Sequence, residues 1–333
     1  MNMRTLTNLL VTGGFGFIGS AFIRSLLRSE FSGRIVNFDA LTYAANLHAL
    51  DGFREHPRYR MIQGDINNTL LVDKICVDNE IDAIVHFAAE THVDRSIVSA
   101  LAFMETNVKG TMSLLEVVRR YPHIHFHHVS TDEVYGALGQ GGFFTEESPY
   151  RPNSPYSASK AASDHFVRAY VATYGLSTTI SHCSNNYGPY QHPEKFIPLM
   201  ISHCLEGKPL PVYGRGENVR DWLYVDDHVE AIWAILQRGK RGETYDIGGG
   251  TEKTNLQLLN LIIELVAEET QVNALDYHRL IRFVRDRPGH DFRYAIDSSK
   301  IERELKWRPK TDLRKGLQQT IKNFSRALSL NLK

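Results

Sequence analysis

The chain has 333 residues, of which 42% are hydrophobic and 23% are charged, as in ordinary globular proteins. Lys and Arg together number 38, and Asp and Glu together also number 38, so the formal net charge is zero. No overall positive field is present to hold nucleic acid or an anionic membrane, and we expect neither as a partner. This length suits one large domain or two modest ones.

An uncharged run from Thr5 to Ile23 resembles a signal peptide or a membrane anchor. Glycines interrupt the run, and its longest apolar stretch is too short for the core of a signal peptide, so we interpret it as a strand, a turn and the start of a helix. The three cysteines are isolated in sequence, which is typical of apolar core residues in a reducing compartment: Cys76, Cys183 and Cys204. We therefore expect a cytoplasmic protein.

A short apolar segment, 8–12, predicts a buried parallel strand that runs into the glycine-rich stretch 13–19. An amphipathic segment, 20–27, then predicts a helix. Such glycines permit a tight turn and let the backbone approach a pyrophosphate, while the helix offers its free N–H groups. A second predicted strand, 34–38, ends at Asp39, whose carboxylate would accept ribose hydroxyls and repel a 2′-phosphate. The pattern predicts a dinucleotide site that prefers NAD.

Further apolar segments predict the remaining strands of one sheet: 59–66, 83–89 and 126–130. Asp65 lies near the end of the first of these and would receive the adenine amino group. Strands that alternate with helical stretches, such as 100–120, predict right-handed crossovers and a doubly wound parallel sheet of the Rossmann type. Functional groups should collect at the carboxyl ends of its strands, where Asp39, Glu90 and the segment 131–133 fall.

Several histidines precede or enter the strand predicted at 126–130, and they superficially resemble a metal site: His123, His125, His127 and His128. Three of them alternate with apolar residues, which is strand spacing, and no carboxylate or cysteine joins them at the spacing of metal ligands. The sequence therefore predicts no metal site.

Tyr156 and Lys160 lie four residues apart after Pro155, which suits the first turn of a helix, so the two side chains should share one helical face. A nearby ammonium stabilises tyrosinate, which helps Tyr156 to act as a base. The adjacent pair Asp132 and Glu133 could supply a general acid and a general base. Neighbouring residues of a strand face opposite sides, so we predict that the strand ends by Thr131 and that 132–133 form a turn or the start of a helix.

Seven distinctive segments lie in order along nearly the whole chain: TGGFGFIG (12–19), FAAETHVDRS (87–96), STDEVYG (130–136), SPYSASKAASD (154–164), NNYGPYQHPEKFIP (185–198), PVYGRGENVRDWLYVDDH (211–228) and DRPGHDFRYAID (286–297). Through them the chain resembles the extended short-chain dehydrogenase/reductases, in particular the branch that dehydrates thymidine-diphosphate sugars. The segment STDEVYG is the most discriminating, because related epimerases and decarboxylases lack the Asp-Glu pair there.

The resemblance implies a redox-assisted dehydration of glucose. Tyr156 would take the proton of the 4-hydroxyl, with Thr131 hydrogen-bonded to the 4-oxygen, while C4 passes hydride to NAD. Glu133 would remove the hydrogen on C5, and Asp132 would protonate the departing 6-hydroxyl, after which hydride returns to C6. Asp132 must then be protonated near neutral pH while Glu133 is ionised, and mutual repulsion with partial burial can raise one pKa.

The resemblance also implies the ligand contacts. The cofactor NAD would be held by Gly13, Gly16, Phe17, Ile18, Gly19, Asp39, Ala40, Leu41, Thr42, Asp65, Ile66, Phe87, Ala88, Ala89, Thr106, Tyr156, Lys160 and Asn186. The nucleotide-sugar substrate would be held by Thr91, Thr131, Asn185, Lys195, Phe196, Pro211, Val212, Tyr213, Arg220, Asn255, Arg287 and His290. Among these Arg220 would grip the diphosphate, and segment 211–213 would line the base pocket, with thymidine favoured and uridine as runner-up.

The composition changes after Tyr187 to segments rich in glycine and proline, which are typical of loops that close over a ligand. We predict an NAD-binding domain, 1–184 plus 219–248, and a smaller interleaved α/β domain for the nucleotide sugar, 185–218 plus 249–333. The stretch 221–237 predicts a helix. A strand at 245–248 should, by the resemblance, return to the first domain.

Two alternatives stay open. The first is another NAD-dependent enzyme of the same frame: a UDP-glucose 4,6-dehydratase, a nucleotide-sugar 4-epimerase or a UDP-glucuronate decarboxylase. The second is a redox-silent protein that binds NAD without turnover. The resemblance further implies a homodimer built on the helices near 100–120 and 156–174, and a place in deoxysugar biosynthesis of the rhamnose or amino-deoxy type.

Overall fold

The computed structural model describes residues 3–331. Its strands are, in chain order, β1 (Asn8–Thr12), β2 (Arg34–Asp39), β3 (Tyr59–Gln63), β4 (Ala83–His86), β5 (His125–Thr131), β6 (Thr178–Cys183), β7 (Asn185–Tyr187), β8 (Leu210–Tyr213), β9 (Val219–Tyr224), β10 (Thr244–Ile247), β11 (Glu252–Thr254) and β12 (Ile281–Val284).

Its α-helices are α1 (Phe17–Arg28), α2 (Thr69–Asp78), α3 (Val93–Val98), α4 (Ala100–Phe103), α5 (Thr111–Arg120), α6 (Pro155–Tyr174), α7 (Phe196–Glu206), α8 (Val225–Arg238), α9 (Asn255–Thr270), α10 (Ala274–His278), α11 (Ser299–Leu305) and α12 (Leu313–Asn331). Two 3₁₀ helices, Leu47–Phe53 and Asp132–Tyr135, and a π-helical segment, Met104–Gly110, complete the helical elements of the described range.

Within residues 3–331, seven strands form a central sheet in the order β10-β6-β5-β4-β1-β2-β3. Every neighbouring pair is parallel. The chain moves outward from β1 to β3 and then returns to place β4 on the other side of β1. This reversal opens a crevice beyond the carboxyl ends of β1 and β4, which is where doubly wound sheets bind their ligands. The predicted doubly wound parallel sheet is confirmed.

Helices cover both faces of this sheet, as the alternating side chains of its strands require. Leu9 and Val11 of β1 point to one face, where they share a core with α1 and α8. Leu10 points to the other face and packs with residues of α2 and α5. The strands therefore read as continuous apolar runs because both of their faces are buried.

The second half of the molecule is built around smaller sheets. β9 pairs with β7 in parallel and with β11 in antiparallel orientation, and β8 pairs with β12 in parallel. Helices α7, α9 and α12 pack around a separate core that includes Ile201, Leu258 and Leu317. The strand predicted at 245–248 is found as β10, which pairs with β6 of the central sheet. The chain therefore returns to the first half after building part of the second.

The two domain ranges stay predictions, and their outermost residues, 1–2 and 332–333, lie outside the described residues. β9 falls inside the range predicted for the NAD-binding domain, yet its hydrogen-bonded neighbours β7 and β11 fall inside the range predicted for the nucleotide-sugar domain. The division at residue 219 thus runs through one sheet.

The helix predicted from Asp221 to Gln237 is wrong over its first turn. Residues 219–224 form β9, and α8 begins only at Val225. The buried carboxylate of Asp221 accepts hydrogen bonds from the backbone N–H groups of Gly249, at 2.9 Å, and Thr251, at 2.7 Å. These partners are distant from Asp221 in the sequence, so the local pattern did not indicate that the segment forms a strand.

The helix predicted over 100–120 is interrupted. The π-helical segment Met104–Gly110 separates α4 from α5. Its Asn107 accepts a hydrogen bond from the Glu90 N–H at 2.8 Å and donates one to Ser159 Oγ, also at 2.8 Å. A π-helical turn often occurs at a functional site, and here it brings an amide between the loop after β4 and helix α6.

Other predicted elements differ only at their ends. Helix α1 begins at Phe17 rather than at residue 20, and the strands predicted at 59–66 and 83–89 end at Gln63 and His86. The strand predicted at 126–130 extends from His125 to Thr131.

The histidines of β5 are buried within the fold and contact neighbouring side chains. His125 and His127 are buried and lie 3.1 and 2.9 Å from Thr179 Oγ1. Burial lowers the pKa of His125 to about 3, so the ring is neutral. The described part of the chain contains no cluster of three side chains placed to hold a metal ion. The three cysteines are buried free thiols, as predicted.

None of the helices between residues 3 and 331 combines the length and the apolar character that crossing a membrane requires.

β9 and the turn after β10 lie so close together that a larger residue in this turn should destabilise the fold. A methyl group on Gly249 would lie 1.9 Å from the carbonyl oxygen of Trp222. We expect Gly249→Ala to lower the free energy of unfolding by about 2 kcal/mol or more, because backbone must move to admit the new atom. Gly52 has no heavy atom within 4 Å of the same position, and Gly52→Ala is the control. Equal midpoints of urea unfolding for the two variants would contradict the close approach.

Candidate active site

The largest group of predicted site residues lines one cavity of about 250 Å³ at the carboxyl ends of the central strands. It brings together Gly13, Gly16, Phe17, Ile18, Gly19, Phe87, Ala89, Thr91, Thr131, Asp132, Glu133, Tyr156, Lys160, Asn185, Asn186 and Lys195. A second cavity, of about 120 Å³, shares the glycine turn with the first and adds the predicted residues Asp39, Ala40, Thr42, Asp65, Ile66, Ala88 and Thr106. Together they form one elongated cleft.

The glycine turn after β1 fits the pyrophosphate of a dinucleotide. Gly13 has a φ of 70°, and a Cβ there would meet Ala88 N at 2.6 Å, so the turn lies directly against the end of β4. Gly16 is the N-cap of α1, and Phe17 and Ile18 of its first turn line the larger cavity. The free N–H groups of this turn are suited to a phosphate.

Asp39 closes the other end of the cleft and fits a ribose. Its carboxylate accepts hydrogen bonds from the N–H groups of Phe15 and Leu41, at 2.9 and 2.8 Å. A carboxylate has about four acceptor positions, so two remain for ribose hydroxyls. Leu41 itself lies outside both cavities and contributes this N–H, with a φ of 56°. The residues present therefore fit the dinucleotide that the sequence predicts.

The two acidic residues meet in the larger cavity because β5 ends at Thr131. Asp132–Tyr135 forms a 3₁₀ helix, and the Thr131 hydroxyl caps it by accepting a hydrogen bond from Glu133 N at 3.3 Å. The predicted departure from strand geometry at 132–133 is confirmed. Gly136 follows with a φ of 85°, a left-handed conformation that glycine adopts without strain.

Helix α6 places Tyr156 and Lys160 on its buried face. It begins at Pro155, with the Ser154 hydroxyl accepting a hydrogen bond from Ser157 N at 3.1 Å. Tyr156 is 8% exposed and Lys160 is 4% exposed. The Lys160 ammonium donates to the carbonyl of Val129 at 2.9 Å, which holds it against β5. The predicted shared helical face is confirmed.

The environments of the acidic pair separate their pKa values. Burial, followed by repulsion from Glu133, raises the pKa of Asp132 well above its usual range. Burial also raises the pKa of Glu133, but the cations of Arg287, Lys195 and Arg220 oppose that rise. Asp132 therefore retains its proton in conditions where Glu133 has lost its own, which is the division that an acid–base pair needs.

Burial dominates the ionisation of the tyrosine and lysine as well. It raises the pKa of Tyr156 well above the usual value, and Glu133 and Cys183 add to the rise, whereas the hydroxyl of Thr131 lowers it. Burial lowers the pKa of Lys160 to about 8, against the opposing charge of Asp164. Lys160 is thus a cation at neutral pH but is close to losing its charge.

Four residues that line the larger cavity have a buried side-chain oxygen with no hydrogen-bond partner among residues 3–331: Asp132 Oδ2, Ser184 Oγ, Asn185 Oδ1 and Gln191 Oε1. Asp132 and Asn185 are the predicted site residues among them. Because an unpaired buried acceptor is costly, these atoms indicate where hydroxyl groups of a bound molecule would be received.

A second group of predicted residues gathers around Asp94, outside the two cavities. Tyr213 Oη and Arg287 Nη1 each lie 3.5 Å from a carboxylate oxygen of Asp94. The ring of His290 meets the ring of Tyr213 at a centroid distance of 6.0 Å. These three side chains, predicted to contact the nucleotide, are therefore close to one another.

The structure does not bring the remaining predicted residues to these cavities. Arg220 is buried, and its guanidinium donates to the carbonyls of Val219 and Asp291 at 2.7 and 2.9 Å. Val212 is fully buried in the core of the second half. Three others occupy element ends or edges, namely Phe196 at the start of α7, Pro211 in β8 and Asn255 at the start of α9. Their contacts with a nucleotide stay predictions.

Some cavity residues were missed from the sequence: Ala44, Val129, Ser130, Cys183, Ser184, Gln191 and His192. Cys183 and Ser184 could have been found, because they directly precede Asn185 at the carboxyl end of a buried strand. Gln191 and His192 belong to an irregular loop that follows no strand end, so only their place in the distinctive segment 185–198 could have indicated them.

Comparison with known proteins assigns the architecture to a family. The family model described as GDP-mannose 4,6 dehydratase matches residues 10–320. A dTDP-glucose 4,6-dehydratase from Neisseria meningitidis serogroup B is 50% identical over 329 residues, which cover 95% of this chain and 92% of the relative. Crystal structures of dTDP-glucose 4,6-dehydratases with NAD from Bacillus anthracis and Streptomyces venezuelae superpose with TM-scores of 0.89 and 0.91. Each is 46% identical, and the alignments cover 98% of this chain and 100% of theirs.

Proposed function

The chain belongs to the GDP-mannose 4,6 dehydratase family, and on that premise we propose that it is an NAD-dependent dTDP-glucose 4,6-dehydratase. The reaction converts dTDP-glucose to dTDP-4-dehydro-6-deoxyglucose and water. The observation that carries the proposal is the meeting of Asp132, Glu133, Tyr156 and Lys160 in one cavity beside the glycine turn. A simple dehydrogenase would use the tyrosine and lysine alone.

Tyr156 takes the proton of the sugar 4-hydroxyl. Its phenol interacts with the Thr131 hydroxyl, which favours the ionised form, and Lys160 supplies a cation one helical turn away. Because the Thr131 hydroxyl has a single proton, it donates to the 4-oxygen of the sugar only when it is not donating to Tyr156. When bound, NAD supplies a hydride acceptor for C4 and a hydride donor for C6, and it ends each cycle unchanged.

The acidic pair performs the elimination. Oxidation at C4 acidifies the hydrogen on C5, and Glu133 removes that hydrogen as a general base. Asp132 protonates the 6-hydroxyl, which leaves as water. The pKa separation supports these roles, because Glu133 is near three cations whereas Asp132 is more deeply buried and repelled by Glu133. Glu133 returns the proton to C5 after reduction at C6.

The contacts with the ligands follow the cleft. We assign the cofactor to the glycine turn, to Asp39 at the adenosine ribose and to Asp65 at the adenine, with Asn186 and Lys160 at the nicotinamide end. The sugar lies against Asn185, Thr91 and Thr131. The nucleotide extends toward the second half, with Lys195 and the group around Asp94 on its path. The 46–50% identity to dTDP-glucose dehydratases supports thymidine over uridine as the base.

We further infer a homodimer located in the cytoplasm, in a pathway to deoxysugars of the rhamnose type. The segment 93–110 exposes a run of apolar side chains, with Val98 at 87%, Leu101 at 72% and Met104 at 48% exposure. Such a run is suited to pairing with its own copy across a two-fold axis.

A reaction in deuterated water tests the function. With NAD and dTDP-glucose, the protein should form a product that has lost one water and carries deuterium at C5, as read by mass spectrometry and NMR. UDP-glucose in a parallel reaction tests the uridine alternative. A C4 epimer without loss of water would instead identify an epimerase, carbon dioxide release from UDP-glucuronate a decarboxylase, and binding of NAD without any turnover a redox-silent protein.

Replacing the general base should stop the elimination. We expect Glu133→Gln to slow water loss by about 100-fold or more, because the amide cannot accept the C5 proton. Ser157 donates to Glu133 Oε2 at 3.2 Å, so Ser157→Ala is the control, with a loss of about tenfold for one hydrogen bond to a charged group. If Glu133→Gln eliminated water as fast as the parent protein, Glu133 would not be the base.

The acid limb of the pH dependence of kcat should depend on Arg287. Burial raises the pKa of Glu133, and Arg287 is the foremost cation that opposes the rise. Arg287→Gln should raise this pKa further, so that the acid limb of kcat moves to higher pH by about one unit. The exposed neighbour Arg285 provides the control variant, Arg285→Gln. If the acid limb of kcat stays at the same pH in both variants, Arg287 does not influence the pKa of Glu133.

The association state is tested by sedimentation velocity. Leu101→Glu should convert a dimer to a monomer, because it places a charge in the apolar run. Leu275 is 62% exposed on α10 in the second half of the molecule, and Leu275→Glu should remain dimeric. A parent protein that sediments as a monomer at micromolar concentration would contradict the dimer.

A further inference from the structure

A line of buried ionisable groups runs from Lys160 away from the cavity, into the interior of the sheet. Asp164, His182 and Asp246 each have a side chain that is 0% exposed. They lie on three neighbouring elements, α6, β6 and β10. Asp164, His182 and Asp246 do not line the larger cavity, so the proposed reaction does not use them directly.

Neighbouring groups along this line lie within 3.4 Å of one another, but Asp164 Oδ1 has no hydrogen-bond partner among the described residues, so Asp164 acts on Lys160 through its charge. Lys160 Nζ lies 3.4 Å from His128 Nε2, which lies 3.2 Å from Asp164 Oδ1. Asp164 Oδ2 is 3.0 Å from His182 Nε2, and His182 Nδ1 is 3.0 Å from Asp246 Oδ1. The line therefore passes from the active-site lysine to the strand that returns from the second half.

The carboxylates around His182 favour its charged form. Each ring nitrogen lies near one carboxylate and one phenol, that of Tyr135 at 2.8 Å or that of Tyr150 at 2.9 Å, and only a protonated imidazole can donate to both carboxylates. Burial lowers its pKa, but the hydrogen bonds to Asp164 and Asp246 more than offset that effect and raise the pKa to about 9. Burial likewise raises the pKa of Asp164, but His128 and His182 outweigh it and leave the carboxyl ionised.

His128 stays neutral between them, because burial lowers its pKa to about 4. The charges then alternate along the line: Lys160 positive, Asp164 negative, His182 positive and Asp246 negative. They sum to zero. A buried charge is strongly destabilised unless it is paired, and a balanced line removes that penalty without leaving any one charge alone.

We propose that Asp164 and His182 are positioning residues of the active site, which keep Lys160 charged and held beneath the cavity through a balanced line of buried charges that ends at Asp246. This inference rests on the proposed function, in which Lys160 assists Tyr156 and holds the cofactor. It adds a role for residues that touch neither ligand.

Asp164 stands out among the groups that face Lys160. The titratable side chains around the ammonium are Tyr156 and Asp164 on α6, His128 on β5, Cys183 on β6 and His86 on β4. Burial keeps Tyr156, Cys183 and both histidines neutral. Among the described residues, Asp164 is thus the carboxylate whose charge favours the protonated lysine.

The test compares two substitutions that alter the balance equally. Asp164→Asn and Asp246→Asn each remove one buried negative charge and leave one excess positive charge. Asp164→Asn should lower the pKa of Lys160, so the basic limb of kcat moves to lower pH by about one unit relative to the parent protein. Asp246→Asn should move that limb by less, because its carboxylate reaches Lys160 only through His182 and Asp164. KM for dTDP-glucose should not change in either variant.

Further variants separate this role from folding. Asp164→Glu keeps the charge and should restore the basic limb. If Asp164→Asn does not fold, the double variant Asp164→Asn, His182→Gln removes one charge of each sign, keeps the balance and should still show the shift. A basic limb that is unmoved in the folded Asp164 variants, or moved equally by Asp246→Asn, would overturn the proposal.

A second measurement does not depend on dehydratase activity. The affinity for NAD, measured by calorimetry across pH, should weaken at lower pH for Asp164→Asn than for the parent, because Lys160 loses its charge earlier. Absence of turnover with a normal pH dependence of NAD binding in the parent would refute the proposed function alone. An identical pH dependence in the parent and in Asp164→Asn would refute the role of Asp164.

Discussion

Neighbouring residues of a β-strand point to opposite faces of its sheet, and this constraint governs the whole site. Asp132 and Glu133 can share one cavity only because β5 gives way to a 3₁₀ helix at Thr131, whose hydroxyl caps the turn. β5 lies between β4 and β6, so the turn emerges from the middle of the sheet and its side chains are deeply placed. The same central position sets the glycine turn and α6 on either side of the acidic pair.

Because the acidic pair is deeply buried, the charges around its two carboxyl groups affect their pKa values unequally. Burial raises the pKa of both acids, but the cations that act on Glu133 come from the second half of the molecule, at Lys195, Arg220 and Arg287. Asp132 has Glu133 as its strongest charged influence. The division of labour between an acid and a base therefore does not reside in the dipeptide itself. It depends on the charges around each side chain, foremost Arg287 and Lys195 for Glu133 and Glu133 itself for Asp132.

Local sequence patterns predicted much of the fold and the acidic, tyrosine and lysine residues that meet in the cavity. The alternation rule placed the end of β5 correctly, and proline before Tyr156 marked the start of α6. Long-range contacts were beyond such patterns. Asp221 in β9 accepts hydrogen bonds from N–H groups of a distant turn, and Asn107, in the π-helical segment, forms a hydrogen bond with the loop after β4. Only some of the residues predicted to contact the nucleotide lie near one another, because their positions depend on how the second half of the molecule packs.

The interleaved order of the chain gives these halves a physical connection. β10 follows the first strands of the second half and then joins the central sheet beside β6, where Asp246 completes the line of charges that begins at Lys160. The backbone N–H of Asp246 donates to Glu146 at 2.9 Å, which anchors the strand to the loop between the acidic pair and α6. A displacement of β10 would leave His182 with one carboxylate instead of two and would unbalance the charges beneath the cavity. Docking of the returning strand and the ionisation of the lysine are therefore coupled through a single buried imidazolium.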